Sequence, residues 1–419
     1  VSASDRFQHD FNNSGALYSF YVSPQGGFGG GQVGYNVQTG SVLGPIVFGV
    51  EADLQGAGLS DDRTTFSEII VLRNYSQKLD WFGTARGRIG IASGPVLSYF
   101  TGGYAFANVK TAFASSIAGV PFSNFTTERL AGGWVVGSGV EAALGGNWTG
   151  KIEYLYLNLG NRSEISTLAA TPPIQTELRE NIFRVGLNYR INGQSYAATA
   201  PANWGGFYLG GNFGSGTGRD RSSLSIPLLP VLQTFNLAPD GINGGVQAGY
   251  NWQAANWVFG VETDIQGSTQ RDNKDCILGC IPGGAFVGYD ATLPWFGTLR
   301  GRLGYSVGPS LFYATGGLAV GSIKTKANVV SFLGLTTNSF EHTRTGWTVG
   351  AGLETPFTLL GLLGPNWTTK AEYLYVDLGT ISDNLAFGVA PATTTRSVTE
   401  HVFRTGINYH FNSPVVAKY

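Results

Sequence analysis

WFGTARGRIG at Trp81–Gly90 returns 214 residues later as WFGTLRGRLG at Trp295–Gly304. Four more blocks repeat in the same order. VFGVEADLQG at Val47 becomes VFGVETDIQG at Val258, and GWVVGSGVE at Gly133 becomes GWTVGAGLE at Gly346. NWTGKIEYLYLNLG at Asn147 becomes NWTTKAEYLYVDLG at Asn366, and NIFRVGLNYRIN at Asn181 becomes HVFRTGINYHFN at His401. A period of about 215 residues is far too long for a solenoid unit, so each copy is a whole domain. The spacing drifts only between the blocks, where connections belong.

Within the blocks the pattern has period two, which is the strand signature. Trp134, Val136, Val140, Ala142 and Leu144 fall on one face, and Gly133, Val135, Gly137, Gly139 and Glu141 on the other. Trp148, Ile152, Tyr154 and Tyr156 oppose Lys151 and Glu153; Phe183, Val185, Leu187 and Tyr189 oppose Arg184, Gly186, Asn188 and Arg190. The second copy yields eight such segments: 206–216, 242–253, 257–267, 294–306, 309–323, 344–358, 366–379 and 400–411. Long connections at 217–241, 268–293, 324–343 and 380–399 alternate with short turns such as SVGP near Gly308. Long and short connections at opposite ends are the pattern of a transmembrane β-barrel, and segments of ten or more residues match the reach of a tilted membrane strand.

The two faces point the same way. One carries bulky Trp, Tyr, Phe, Val and Leu. The other carries Gly with isolated charges: Glu51, Asp53, Arg86, Arg88, Glu141, Lys151, Glu153, Arg184 and Arg190 in the first copy. The second copy repeats Glu262, Asp264, Arg300, Arg302, Glu354, Lys370, Glu372 and Arg404. In a soluble sandwich such charges would sit on the surface. They are too few for that here: charged residues are 13% of 419, about half the usual share. An eight-stranded barrel has an interior only wide enough for side chains. Four acidic and five basic groups in the first copy would pair inside it, with Gly making room for their long arms. The prediction is all-β: two tandem eight-stranded antiparallel barrels with filled, salt-bridged lumens.

Composition closes other routes. Net charge is −1, which gives no basic footprint for nucleic acid. A hydrophobic share of 42% argues against disorder. The 62 glycines follow no strict triplet, which excludes collagen. No apolar run is long enough for a membrane helix. The chain opens VSASDRFQHD, has no Met and shows no leader, so a processed or partial product is expected.

The copies differ in one respect. The second opens with WGGFYLGGNFGSG, Trp204–Gly216, which the first lacks. LYSFYVSPQGGFGGGQVGYN in the first copy aligns instead with LQTFNLAPDGINGGVQAGYN, which lies after that strand. Either a first strand is missing from the numbered chain or Ala16–Val22 replaces it; the alignment favours a missing strand. The expected units are a first barrel over 1–192, a periplasmic linker over 193–203 and a second barrel over 204–419.

In combination, WFGTxRGRxG, GWxVGxGxE, NWTxKxEYLYxxLG and the xFRxGxNYxxN ending resemble the porin-family, OmpA-like outer-membrane β-barrel proteins of Gram-negative bacteria. WGGFYLGGNFG resembles that family's first strand and Ala197–Asn203 its linker. The end, SPVVAKY, resembles the aromatic C-terminus read by barrel-assembly machinery. The resemblance covers nearly all of both copies, but family members usually hold one barrel. It implies the bacterial outer membrane as location, export, lipid as surroundings, the assembly machinery as a partner during biogenesis, and a surface-exposed structural role. A homo-oligomer or neighbouring membrane proteins are further expected partners.

Other chemistry is sparse. Cys276 and Cys280 lie in a long connection of an exported protein with no other ligands nearby, so they read as a local disulfide. The four His residues (His9, His342, His401, His410) are scattered, so no metal site is expected. Glu141, Lys151 and Glu153 lack a cleft or nucleophile, so they read as lumen pairs and not as an acid–base set. GGFGGGQVG at Gly26 precedes a strand and not a helix, so the phosphate-loop reading fails. No cofactor and no enzyme activity are expected. Apolar loop runs at Ser225–Leu232 and Ser331–Leu335 fit either a partner site or loops packed on one another. Two rival functions stay open: one larger barrel of about sixteen strands acting as a channel, and an adhesin or haem-capturing receptor acting through its loops.

Overall fold

The computed structural model describes residues 2–3, 5–10, 17–22, 24, 26–40, 45–67, 71–93, 95–117, 120–164, 174–191, 202–226, 231–274, 286–331, 334–357, 363–387 and 390–411. Cys276 and Cys280 and most of the linker lie outside them. The first copy contains β1 (Ser2–Ala3), β2 (Asp5–Asp10), β3 (Leu17–Val22), β4 (Phe28–Thr39), β5 (Ile46–Ser67), β6 (Val71–Ser93), β7 (Val96–Ile117), β8 (Val120–Gly145), β9 (Trp148–Glu164) and β10 (Ile174–Tyr189). The second contains β11 (Gly206–Gly218), β12 (Asp220–Ile226), β13 (Val231–Leu237), β14 (Asp240–Ala254), β15 (Trp257–Lys274), β16 (Phe286–Val307), β17 (Ser310–Ser331), β18 (Gly334–Pro356), β19 (Trp367–Phe387) and β20 (Ala390–His410).

Each copy forms its own antiparallel sheet. In the second, β11 pairs with β14 on one side and β20 on the other, closing an eight-stranded barrel. The β12–β13 hairpin pairs with the far end of β20. In the first copy β2 and β3 form the equivalent hairpin on β10. Leu17–Val22 therefore does not replace an opening strand. Among the described residues no strand lies between β4 and the lower half of β10. The seam is crossed by a Gln32–Asn188 side-chain hydrogen bond. β4 is exposed along most of its length, whereas its counterpart β14 buries Asn243, Gln247 and Asn251.

The strands are longer than their patterns suggested. Of the expected long connections, most of 217–241, 268–274, 286–293, 324–331, 334–343, 380–387 and 390–399 is strand. The outward face shows why the sequence misled here. On β16, Trp295 and Tyr305 lie ten residues apart on one face, which a strand tilted by about 40° converts to roughly 25 Å. Pairs such as Trp134–Tyr156 and Trp347–Tyr375 mark one girdle. Trp148–Tyr189, Trp257–Tyr305 and Trp367–Tyr409 mark the other. Beyond the first girdle the strands continue into water, where apolar residues turn inward as in any soluble sheet. Leu224, Ile226, Phe235, Tyr289, Val329 and Leu385 form an apolar core there. The described part of the Ser225–Leu232 run thus feeds this core through Ile226, while Leu335 of the other run is exposed.

One glycine in each copy shapes the wall at the upper girdle. Gly160 and Gly379 have φ of +79° and +76°, and each donates its N–H to the Asx side chain two residues earlier. A left-handed glycine at that point deflects the strand. Pairing of β8 with β9 and of β18 with β19 ends there, at Trp134–Asn158 and Trp347–Asp377. Close approach matters at the same level: a Cβ on Gly346 would lie 1.8 Å from the Asp377 carbonyl oxygen. Gly346→Val is therefore expected to lower stability by about 1–3 kcal/mol. Gly211→Ala, whose Cβ would meet nothing nearer than 3.8 Å, is expected to leave it unchanged. Urea titration read by the folded-to-unfolded gel shift checks both.

Candidate functional site: the buried charge layer

The inward positions of β5, β6, β8, β9 and β10 converge at one level of the first barrel. Arg86 contacts Glu51, Asp53 at 3.1 Å and Glu153 at 2.9 Å. Arg184 contacts Asp53 at 3.0 Å and Glu153 at 2.6 Å, and the Lys151 ammonium donates to Glu51 at 2.7 Å. Arg88 pairs with Glu141 at 3.0 Å. Neutral donors complete the set: Thr84 to Asp53 at 2.6 Å, Tyr99 to Glu153 at 3.0 Å, and Thr149 and Asn188 to Glu141 at 2.5 and 3.1 Å.

The second barrel repeats this layer. Arg300 contacts Glu262, Asp264 at 2.9 Å and Glu372 at 3.0 Å. Arg404 contacts Asp264 at 3.0 Å and Glu372 at 2.6 Å; Lys370 donates to Glu262 at 2.9 Å. Arg302 pairs with Glu354 and lies 3.7 Å from the centroid of the Tyr313 ring. Thr298, Tyr313, Thr368 and Asn408 take the places of Thr84, Tyr99, Thr149 and Asn188. Tyr208, on a strand without a counterpart among the described residues of the first copy, donates to Glu262 at 2.7 Å.

Arg190 lies one residue past the end of β10, and its backbone N–H donates to the Asn147 carbonyl at 2.9 Å. The contacts given above join four carboxylates and four cations in each layer. Parity and recurrence were signals enough to find Thr84/Thr298 in WFGTxRGR and Asn188/Asn408 in xNYx. His410, one of the four scattered His residues, sits 3.2 Å from Glu354.

Layers of other character lie on either side. Above the charges the first lumen is apolar, with Leu79, Phe82, Val135, Leu155, Leu157 and Ile182. The second has Leu293, Phe296, Ile323, Leu374 and Val402. Below them in the second barrel, Trp204 is fully buried, donates its indole N–H to Ser306 at 3.2 Å and packs edge-on against His410. Its neighbour Ala202 is tied by its N–H to Gly308 in the short β16–β17 turn. Trp204 thus precedes β11 and plugs the barrel end instead of opening the strand. Among the described residues no group of His, Cys, Asp and Glu could hold a metal ion.

The outward faces are the reverse, with Val33, Val50, Leu54, Val185, Leu209, Leu299 and Leu318 all exposed. An apolar exterior around a charged interior has lipid as its solvent. The sequence profile of the outer membrane protein beta-barrel domain matches twice, over residues 3–190 and 193–411. The chain belongs to this outer-membrane β-barrel family. It is a bacterial outer-membrane protein. It is 38% identical over 230 residues to the 31 kDa outer-membrane immunogenic protein of Brucella melitensis, covering 53% of this chain and 90% of that protein. It is 33% identical over 220 residues to the 22 kDa outer membrane protein of Rhizobium leguminosarum, covering 51% and 82%. Among solved structures, Neisserial surface protein A aligns at 14% identity over 49% of this chain and 97% of its own, with a TM-score of 0.24. OprG of Pseudomonas aeruginosa aligns at 13% over 52% and 100%, with a TM-score of 0.26. Both scores are too low to bear on the arrangement described above.

Removing one member of the layer leaves its partners charged and buried. Glu372→Gln is expected to destabilise the second barrel by about 3–5 kcal/mol. Adding Arg404→Gln is expected to recover a large part of that loss, since the two side chains touch. Denaturant midpoints of the single and double variants give the coupling.

Proposed function

We propose that the protein is a structural component of the outer membrane: two filled barrels that brace the envelope and carry rigid extensions beyond it. The observation that supports this best is the stack of layers across the lumen of the second barrel. An indole plug, a neutral layer of four carboxylates against four cations, and an apolar layer follow one another. A solute crossing it would have to break ion pairs whose members are costly to separate in a dry interior. The strand pairing keeps the two copies in separate sheets, which favours this reading over one wide channel.

The extensions supply the surface role. They are built as continuations of the barrel strands around an apolar core. Two relatives are named immunogenic, which fits proteins whose outer surfaces are accessible. We extend that accessibility to this chain.

Planar-bilayer recording of the purified full chain tests the proposal. Filled lumens are expected to give no stable, large single-channel steps. Reproducible large steps from pure protein would overturn it. The Glu372→Gln variant sharpens the test: if the charge layer is the barrier, weakening it should raise brief, low-amplitude activity above the silent parent chain.

A further inference from the structure

Several residues on the outer face are buried where lipid exposure is expected. Val136 and Val349 are 48% exposed, but Val140 is 7%, Ile152 4%, Leu353 0% and Ala371 3%. The last four form one apolar cluster that spans the two barrels. Tyr154 stacks on Phe403 with centroids 4.7 Å apart at 9°, and Phe183 stacks on Tyr373 at 4.8 Å and 17°. Phe183 and Phe403 also meet, at 5.8 Å.

These residues are equivalent by the repeat. Tyr154 and Tyr373 are the first tyrosines of the two EYLY motifs, and Phe183 and Phe403 belong to the two xFR motifs. Val140 corresponds to Leu353, and Ile152 to Ala371. Tyr of the first copy meets Phe of the second, and Phe of the first meets Tyr of the second, with nearly the same geometry. Such reciprocity defines an isologous interface. A pseudo-two-fold axis runs along the barrels between Phe183 and Phe403.

We propose that the tandem chain is a covalent pseudo-symmetric dimer, in which each barrel is the specific lateral partner of the other through this face. In lipid, burying apolar surface gives little driving force, so association depends on close packing and small residues. The face has them. Gly150 of the first barrel lies under Phe312 of the second, with room for a Cβ 3.5 Å from that ring. Above the girdle the contact is extended by the Asn236 amide, 3.1 Å from Asp61. At the axis, Asn181 and His401 occupy equivalent positions beside a small cavity that Tyr373 and Thr217 also line. The linker then raises local concentration, while the face supplies the specificity.

The test places a protease site in the linker of the full chain, inserted in lipid nanodiscs. After cleavage the halves are extracted in mild detergent and sized. Co-elution at the mass of the intact chain is expected. Gly150→Trp puts a bulky side chain on a lipid face that tolerates it when the barrels are apart; it should shift elution to about half that mass. Val185→Trp, on an outward position that is 68% exposed, should not. A gel-mobility check confirms that each variant is folded. Should Gly150→Trp fail that check, disulfide trapping in native membranes decides, using Tyr154→Cys with Phe403→Cys in a Cys276→Ser, Cys280→Ser background. Cut wild-type halves that separate, or an engineered pair that cross-links no faster than a Val185→Cys control pair, would overturn the proposal.

Discussion

Balanced burial of charge is the constraint on which the structure depends. Eight strands in the second copy, and seven among the described residues of the first, surround a space with no room for bulk water, so every ion placed there needs a partner within reach. The charge layer of each barrel meets this with four carboxylates and four cations, bound by multidentate guanidinium contacts. Arg86 and Arg300 stand at the centre, each spanning three acidic side chains contributed by β5 and β9 or by β15 and β19. A wall that curls so tightly also needs positions without a side chain. Glycine supplies these where opposing backbone comes close, as at Gly346 against Asp377.

The polarity of the fold changes along its length, and each part follows its solvent. Within the girdles lipid lies outside, so Val50 and Leu299 point outward and Glu51 and Arg300 inward. Beyond the upper girdle water lies outside, and Leu224, Phe235 and Val329 point inward. β16 carries both arrangements, and its register against β17 shifts between Thr292 and Trp295, where the polarity reverses. A lipid-facing residue escapes exposure only where the other barrel covers it, as Leu353 does.

The fold was legible because the repeat compared two solutions to one problem. Arg86/Arg300, Glu153/Glu372 and Arg184/Arg404 recur with inward parity, and the structure places them in contact. The long connections misled because the reading expected one face polarity throughout. In the aqueous part the apolar face reverses, and the motif ends without the strand ending. Trp204 was read as part of a strand opening because nothing local distinguishes a plug from a girdle residue. The contact of Tyr154 with Phe403 could not be read at all: an aromatic facing lipid and one facing another barrel have the same pattern.

The central claim is that the chain builds two separate narrow barrels with filled lumens. Single-particle cryo-electron microscopy of the full chain in a lipid nanodisc tests it most directly. The account predicts two small rings of wall density side by side, each with side-chain density across its interior. One wide ring, or two rings around empty interiors, would contradict it.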